Sequence, residues 1–330
     1  MPTNRRIVLA SRPQGAASTA NFRLETVETP ALAEGQVLVR NHWLSLDPYM
    51  RGRMNDARSY ATPQALNETM LGGTVGIVSE SRNPSFKSGD AVFGGLGWQE
   101  YGVADGVALR KVDPALPLPV YLGAVGMPGV TAWYGLNRII EPKAGETVVV
   151  SAASGAVGGV VGQLAKVAGC RAVGIAGGAD KCRYVVDELH FDACIDYKSE
   201  DVAKRLAELC PKGIDGNFEN VGGEILNAVL ERMNAHGRIA LCGMIAGYDR
   251  EPIPLKNPSW LLLSRLKVQG FIISEHMQDW PQALQVLAGG VASGKIRYRE
   301  TIAQGLENAP AAFLGLLKGH NFGKQLVKLI

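Results

Sequence analysis

The chain has 330 residues, of which 46% are hydrophobic and 20% charged, enough for a large core and for two domains of ordinary size. Its formal net charge of +3 is too small for the basic stripe of a nucleic-acid binder. No run of about 18 apolar residues offers a spanning helix, and the polar, basic stretch 1–12 does not resemble a secretory signal. Residues 4–125 read as β-rich. Short apolar runs at 7–10, 36–40, 74–78 and 91–93 are punctuated by Gly, Pro, Asn and Asp, as in a small barrel or sandwich.

From about Gly126 the texture changes to alternating helix-like and strand-like segments, the pattern of a parallel sheet covered by helices. Residues 131–140 predict a helix stopped near Pro142. The β-branched run 147–151 predicts a buried strand, followed by a turn and then a helix with apolar residues at Val157, Val160, Val161, Leu164 and Ala168. Further strands are expected at 171–176, 193–196, 216–221 and 237–243, with helices at 180–189, 202–210 and 224–233 between them. This is an α/β, doubly wound nucleotide-binding domain, with its ligand at the C-terminal strand ends. Residues 252–258 read as a loop. Helices at 260–266 and 278–292 flank a strand at 268–273. The tail carries a helix at 309–317 and a strand-like segment at 325–329, expected to return to the first domain and cross the cleft. The expected division is 1–125, completed by 300–330, and 126–299.

The turn after residue 151 holds the first candidate site. Its spacing is Ala152-x-x-Gly155-x-x-Gly158, with Ala156 and Val157 inside it, so alanine replaces or displaces the first glycine of the usual dinucleotide fingerprint. Glycines let the backbone approach a ligand, and the helix start offers free N–H groups and a positive dipole end, a cradle for pyrophosphate. The alternative is a turn that only packs helix on sheet. The strand ends at Asn220, Gly222, Cys242 and Gly243 fall where a bound nucleotide lies. The second strand ends Ala176-Gly177-Gly178-Ala179, with no carboxylate for ribose hydroxyls, a space that suits a 2′-phosphate.

The five cysteines, Cys170, Cys182, Cys194, Cys210 and Cys242, are odd in number and lack C-x-x-C spacing. They suggest no disulfide framework and a reducing cytoplasm. Cys170, Cys194 and Cys242, in or beside apolar runs, read as buried inert thiols.

Several strings occur in one order: Leu46-Asp47-Pro48-Tyr49-Met50-Arg51, Gly126-Met127-Pro128-Gly129-Val130-Thr131-Ala132, Glu219-Asn220-Val221-Gly222-Gly223, Leu241-Cys242-Gly243-Met244-Ile245, Val268-Gln269-Gly270-Phe271 and Asn321-Phe322-Gly323-Lys324. Together, over nearly the whole chain, they resemble the medium-chain dehydrogenase/reductase superfamily. The resemblance is closest to its zinc-independent prostaglandin reductase/leukotriene dehydrogenase branch and, within that, the bacterial curcumin reductase type. The resemblance implies a GroES-like β-rich catalytic domain, a Rossmann cofactor domain, a homodimer and NADPH-dependent reduction of an activated C=C bond. No cysteine precedes Cys170 and His42 is the only histidine of residues 1–125, so neither a catalytic zinc site nor a structural zinc lobe is expected.

By the same resemblance Lys181 and Tyr197 are the ligands of the 2′-phosphate, and Asn321 is the tail asparagine that reaches the nicotinamide end. Met127 and Thr131 would flank the nicotinamide and its ribose. Tyr248 matches a tyrosine of the branch and is the first candidate to stabilise an enolate oxygen or donate a proton, with Tyr60 second and Tyr49 third. Arg51 and Arg53 read either as an attractor for an acidic substrate tail or as solvated groups paired to Asp47 or Asp56. The alternatives to an enone or enal reductase are a quinone oxidoreductase, an allylic-alcohol dehydrogenase and a low-turnover NADPH-binding redox sensor.

Overall fold

The computed structural model describes residues 2–249, 251 and 254–330. They form two compact units. One runs up to Leu122 and takes in Glu300–Asn321 and Gln325–Ile330; the other comprises the described part of Gly123–Arg299 with Phe322–Lys324. Of the loop expected at 252–258, Pro252 and Ile253 lie outside the described residues.

The first unit opens with β1 (Thr3–Leu9) and β2 (Phe22–Glu28), paired antiparallel so that Leu9 faces Phe22. Then come β3 (Gln36–Ser45), α1 (Tyr49–Arg53), β4 (Thr74–Ser81), β5 (Ala91–Gly94), β6 (Tyr101–Asp105) and β7 (Leu109–Lys111). Inward residues recur at every second position: Val37, Val39, Val78 and Val92 meet Leu96 and Leu109 in one core. The sequence reading missed β2, β6 and β7. In β2 only Phe22 is buried, so little apolar alternation marks it.

The second unit begins with α2 (Met127–Tyr134), which starts four residues before the predicted 131. Pro128 sits in its first turn, where a missing N–H costs nothing. The helix widens into a π-helical turn over Gly135–Ile140. There follow β8 (Thr147–Ser151), α3 (Gly158–Val167), β9 (Arg171–Ala176), α4 (Ala179–Arg183), β10 (Ala193–Asp196), α5 (Val202–Leu209), β11 (Ile214–Glu219), α6 (Gly223–Leu230), β12 (Met233–Leu241), α7 (Ser259–Leu263), β13 (Lys267–Gly270) and α8 (Trp280–Ala292). Two boundaries differ from expectation. The helix predicted to 233 ends at Leu230, because Met233 already opens β12, and the strand predicted over 268–273 stops at Gly270.

These strands form one six-stranded sheet in the order β10-β9-β8-β11-β12-β13, every recorded pair parallel. That is the doubly wound order, whose direction of winding reverses between β8 and β11 and leaves a crevice at their C-terminal ends. β8 is buried along its whole length, as a central parallel strand covered on both faces must be. Val149, Val173, Ile195, Phe218 and Ile239 are almost wholly buried.

The chain then returns to the first unit through β14 (Glu300–Gln304), α9 (Ala309–Leu317) and β15 (Lys324–Lys328). The larger sheet of that unit runs β14-β15-β3-β4-β5-β7, with β6 also on β3. Phe313 of α9 meets Trp98 edge-on at 5.7 Å, and Trp98 stacks on Phe22 at 5.4 Å, so the tail completes the first core.

Candidate functional site

The glycine turn lies where β8 meets α3, beside the sheet's switch point. Ala152 occupies the left-handed region, with φ 51°, at the position the fingerprint gives to glycine. Gly158 packs so tightly on the turn that a Cβ there would overlap the Ala152 carbonyl oxygen. Among the described residues no side chain caps α3; within its first turn Gly159 N–H donates to Gly155 O and Val160 N–H to Val157 O, both at 3.0 Å, and the positive end of the helix faces the turn. The tail docks on the same turn: Gly323 N–H donates to Ser154 O at 3.1 Å, immediately after Asn321 and Phe322 in the chain. The Arg299 guanidinium lies 4.6 Å from the Phe322 ring centroid and 5.4 Å from that of Tyr184, fixing this segment by cation–π contacts.

At the end of β9, Gly177 lies against Tyr197: a Cβ on it would come within 2.8 Å of the ring and of the hydroxyl. Lys181 belongs to α4, the helix that follows Gly178. Its ammonium is held below the ordinary lysine value, first by desolvation and then by the charge of Lys198. Sequence reading did not single out Lys198. Asp180 pairs with Arg183 on the exposed side of α4, so its charge is met there. It does not cap the helix, whose N-cap is Gly178. The acid at the end of β10, Asp196, is occupied: its carboxylate accepts Gly178 N–H at 2.7 Å, Lys198 N–H at 3.0 Å and the Ser199 hydroxyl at 2.9 Å. Desolvation opposes its charge, but these donors outweigh it and hold the carboxyl below its usual range.

The crevice between β8 and β11 is built on a buried polar network that the sequence gave no reason to expect. Ser151 and Glu219 are fully buried. The Ser151 hydroxyl and the N–H groups of Val221 and Gly222 all donate to Glu219 Oε1, at 2.8, 2.7 and 2.8 Å, and Asn217 Nδ2 donates to Oε2 at 3.1 Å. Asn220 is tied to β8 twice: its N–H donates to Ser151 Oγ at 2.7 Å, its Nδ2 to Ser151 O at 2.8 Å. Cys242 N–H donates to Glu219 O at 2.9 Å, and burial followed by the Glu219 charge pushes its thiol up to about 12. Thus Gly222 is held by the Glu219 carboxylate, Cys242 and Gly243 by the Glu219 backbone carbonyl, and Asn220 by Ser151. Tyr248 sits beside them, its hydroxyl 3.3 Å from the Cβ position of Gly243. Thr131 donates its hydroxyl to Met127 O at 2.8 Å inside α2.

Tyr49 and Tyr60 belong to the first unit, where they influence each other. The half-buried Tyr49 phenol is raised well above its ordinary value by desolvation, then by Asp47 and Tyr60. Tyr60 is largely exposed. Arg51 is not the solvated group that one of the expectations allowed. It is buried, and its guanidinium donates to Gly15 O at 2.7 Å and Asn55 Oδ1 at 2.8 Å, so it clamps a loop. Among the described residues no three His, Cys, Asp or Glu side chains gather into a metal-holding group.

A doubly wound sheet with a glycine turn and a helix start at its switch point, and a second strand end whose neighbouring Asp196 is engaged, defines a nucleotide-binding protein. Residues 5–112 match the family model described as N-terminal domain of oxidoreductase, and residues 156–289 that described as zinc-binding dehydrogenase. The chain belongs to the medium-chain dehydrogenase/reductase family, in its zinc-independent prostaglandin reductase/leukotriene dehydrogenase branch. It is 48% identical to the NADPH-dependent curcumin reductase of Escherichia coli (strain K12), over 99% of this chain and 97% of that protein. It is 40% identical to the NADP(+)-dependent 2-alkenal reductase of Nicotiana tabacum, over 98% and 97%. A solved structure, CurA from Vibrio vulnificus in complex with NADPH, superposes with a TM-score of 0.94 at 47% identity, covering 99% of each chain.

Proposed function

We infer that this chain catalyses the NADPH-dependent reduction of the C=C bond of α,β-unsaturated ketones and aldehydes. The observation that carries the reading is the match along nearly the whole chain to reductases whose names specify NADPH or NADP and a 2-alkenal. The second strand end supports it. Tyr197 lies on Gly177 there, Lys198 is close enough to Lys181 to depress its ammonium, and the Asp196 carboxylate is already engaged, so the site suits a phosphate dianion.

Lys181, Tyr197 and Lys198 hold the 2′-phosphate over Gly177 and Gly178. The α3 N-terminus, with Ala152, Gly155, Ala156, Val157 and Gly158, receives the pyrophosphate. Asn220, Gly222, Cys242 and Gly243 line the way to the nicotinamide end, to which Met127, Thr131 and Asn321 are also assigned. The nicotinamide supplies the hydride for the β-carbon. The protein must then stabilise the enolate oxygen and deliver a proton to the α-carbon. Tyr248 is the first choice for the enolate oxygen. Tyr49, whose phenol stays protonated, and Tyr60 are the donors or aromatic walls that the first unit offers.

The active form is a homodimer in the cytoplasm. The edge strand β13, with Val268 45% exposed, and Leu262 and Leu263 of α7, 76% and 57% exposed, support pairing with a second copy. Light scattering tests the dimer, and fractionation the compartment. The activity is tested by following NADPH oxidation over enals, enones, long diarylheptanoids and quinones. Turnover of enals and enones is expected. Turnover restricted to quinones, or absent throughout, would overturn the reading.

A further inference from the structure

Cys182 of α4 and Cys194 of β10 lie 12 residues apart in sequence, yet their sulfurs are 3.2 Å apart, with the Cys194 thiol donating to Cys182 Sγ. Both are half-buried, whereas Cys170 and Cys210 are buried. The pair sits over Gly174 of β9, where the missing side chain leaves room: a Cβ there would lie 3.3 Å from Cys194 Sγ.

We propose that Cys182 and Cys194 are a redox modification site, oxidised by a peroxide to a reversible disulfide that ties α4 to β10 and weakens NADPH binding. The sulfurs need to approach by only about 1 Å to reach bonding distance. The hydrogen bond from Cys194 lowers the Cys182 thiol below its ordinary value and raises its own, which makes Cys182 the attacking sulfur. The Cys182 thiolate attacks a peroxide oxygen, the O–O bond breaks, and a sulfenic acid and hydroxide result, the hydroxide taking up the proton that the thiol released to solvent on ionising and leaving as water. Cys194 then attacks the Cys182 sulfur, the S–O bond breaks, and a second water leaves with the Cys194 proton. The two thiols give up two electrons in all, and the peroxide takes both.

The consequence for NADPH rests on the functional reading above; the disulfide does not. Lys181 directly precedes Cys182. Asp196, which holds the Gly178 N–H, and then Tyr197 and Lys198 follow Cys194. A covalent link between these two segments therefore shifts the groups assigned to the 2′-phosphate against one another, while the crevice between β8 and β11 stays unchanged.

The test treats the purified full chain with hydrogen peroxide. Two of the five thiols should be lost, the mass should fall by about 2 Da as two hydrogens leave, and peptide mapping should find Cys182 linked to Cys194. Dithiothreitol should restore both thiols. The KM for NADPH should rise roughly fivefold, as when one charge-assisted hydrogen bond is weakened, with kcat at saturating NADPH unchanged. Cys182→Ser and Cys194→Ser should each abolish the link and keep the KM constant under peroxide. Five surviving thiols, a link between other cysteines, or a sulfinic acid at Cys182 would overturn the site. A Cys182–Cys194 link that leaves the KM for NADPH unmoved would overturn the coupling alone. A chain that oxidises no NADPH would sink the functional reading and leave the thiol result standing.

Discussion

The hydroxyl of Ser151 donates to Glu219 Oε1 over 2.8 Å, joining the ends of β8 and β11 at the switch point of the sheet. The same oxygen accepts the N–H groups of Val221 and Gly222, so one buried carboxylate sets the start of α6 and the strand ends assigned to the cofactor. Glu219→Ala leaves these donors without an acceptor. It should cost about 3 kcal/mol or more in urea unfolding, at about 1 kcal/mol or more for each buried donor left unpaired. Glu219→Gln keeps an acceptor oxygen and should cost about half as much. Equal stability of wild type and the alanine variant would deny the network this role.

Ala152 holds a left-handed conformation, with φ 51°, that L-residues adopt at a cost. Ala152→Gly should therefore stabilise the chain by about 0.5–1 kcal/mol, relief of left-handed strain outweighing the added freedom of the unfolded glycine. NADPH affinity should be retained. Gly158→Ala is the opposite case. Its methyl group meets the Ala152 carbonyl oxygen, so the helix start must move. NADPH affinity, measured by fluorescence titration, should fall about tenfold or more, since displaced N–H groups no longer converge on the pyrophosphate.

Lys181→Ala should narrow the preference for NADPH over NADH, and the Lys181→Ala/Lys198→Ala pair should narrow it further. The ratio of kcat/KM for the two cofactors is the measurement. An unchanged ratio in the double variant would place the phosphate elsewhere.

The Lys181 shift also sets a pH dependence. Desolvation and Lys198 depress its pKa, so the ammonium loses its proton below the ordinary lysine value as pH rises. Attraction for the 2′-phosphate dianion then declines, and NADPH affinity should weaken at alkaline pH before an ordinary lysine, of pKa about 10.4, would titrate. Between the depressed and the ordinary value the folded chain binds fewer protons than the unfolded one, so stability should rise with pH across that window. Lys181→Arg, always charged, should flatten the affinity profile.

Tyr248→Phe should lower turnover of an enone while leaving NADPH affinity nearly intact, because the lost hydroxyl is assigned to the substrate oxygen. Wild-type turnover in the purified variant would remove Tyr248 from the chemistry.

Much of the fold was legible because parallel sheets announce themselves locally. The β-branched run at 147–151 had to be a buried strand, and the glycine turn after it had to face a helix start. The strands that escaped notice, β2 above all, bury little, so no apolar alternation marked them. The burial of Arg51 escaped notice for a related reason: Gly15 and Asn55, which accept from it, are a loop carbonyl and a side chain that no periodicity announces.

The sequence by itself determined the order of strands and helices of the second unit, the glycine cradle, the acid-free end of β9 and a first unit without thiols, since each is a property of neighbouring residues. Only the tertiary structure decided that Lys198 stands by Lys181, that Ser151 closes on Glu219, and that Cys182 touches Cys194. Those pairings depend on which strand lies beside which and in what register. A parallel sheet sets both through crossover connections and burial on two faces, which no local pattern of residues records.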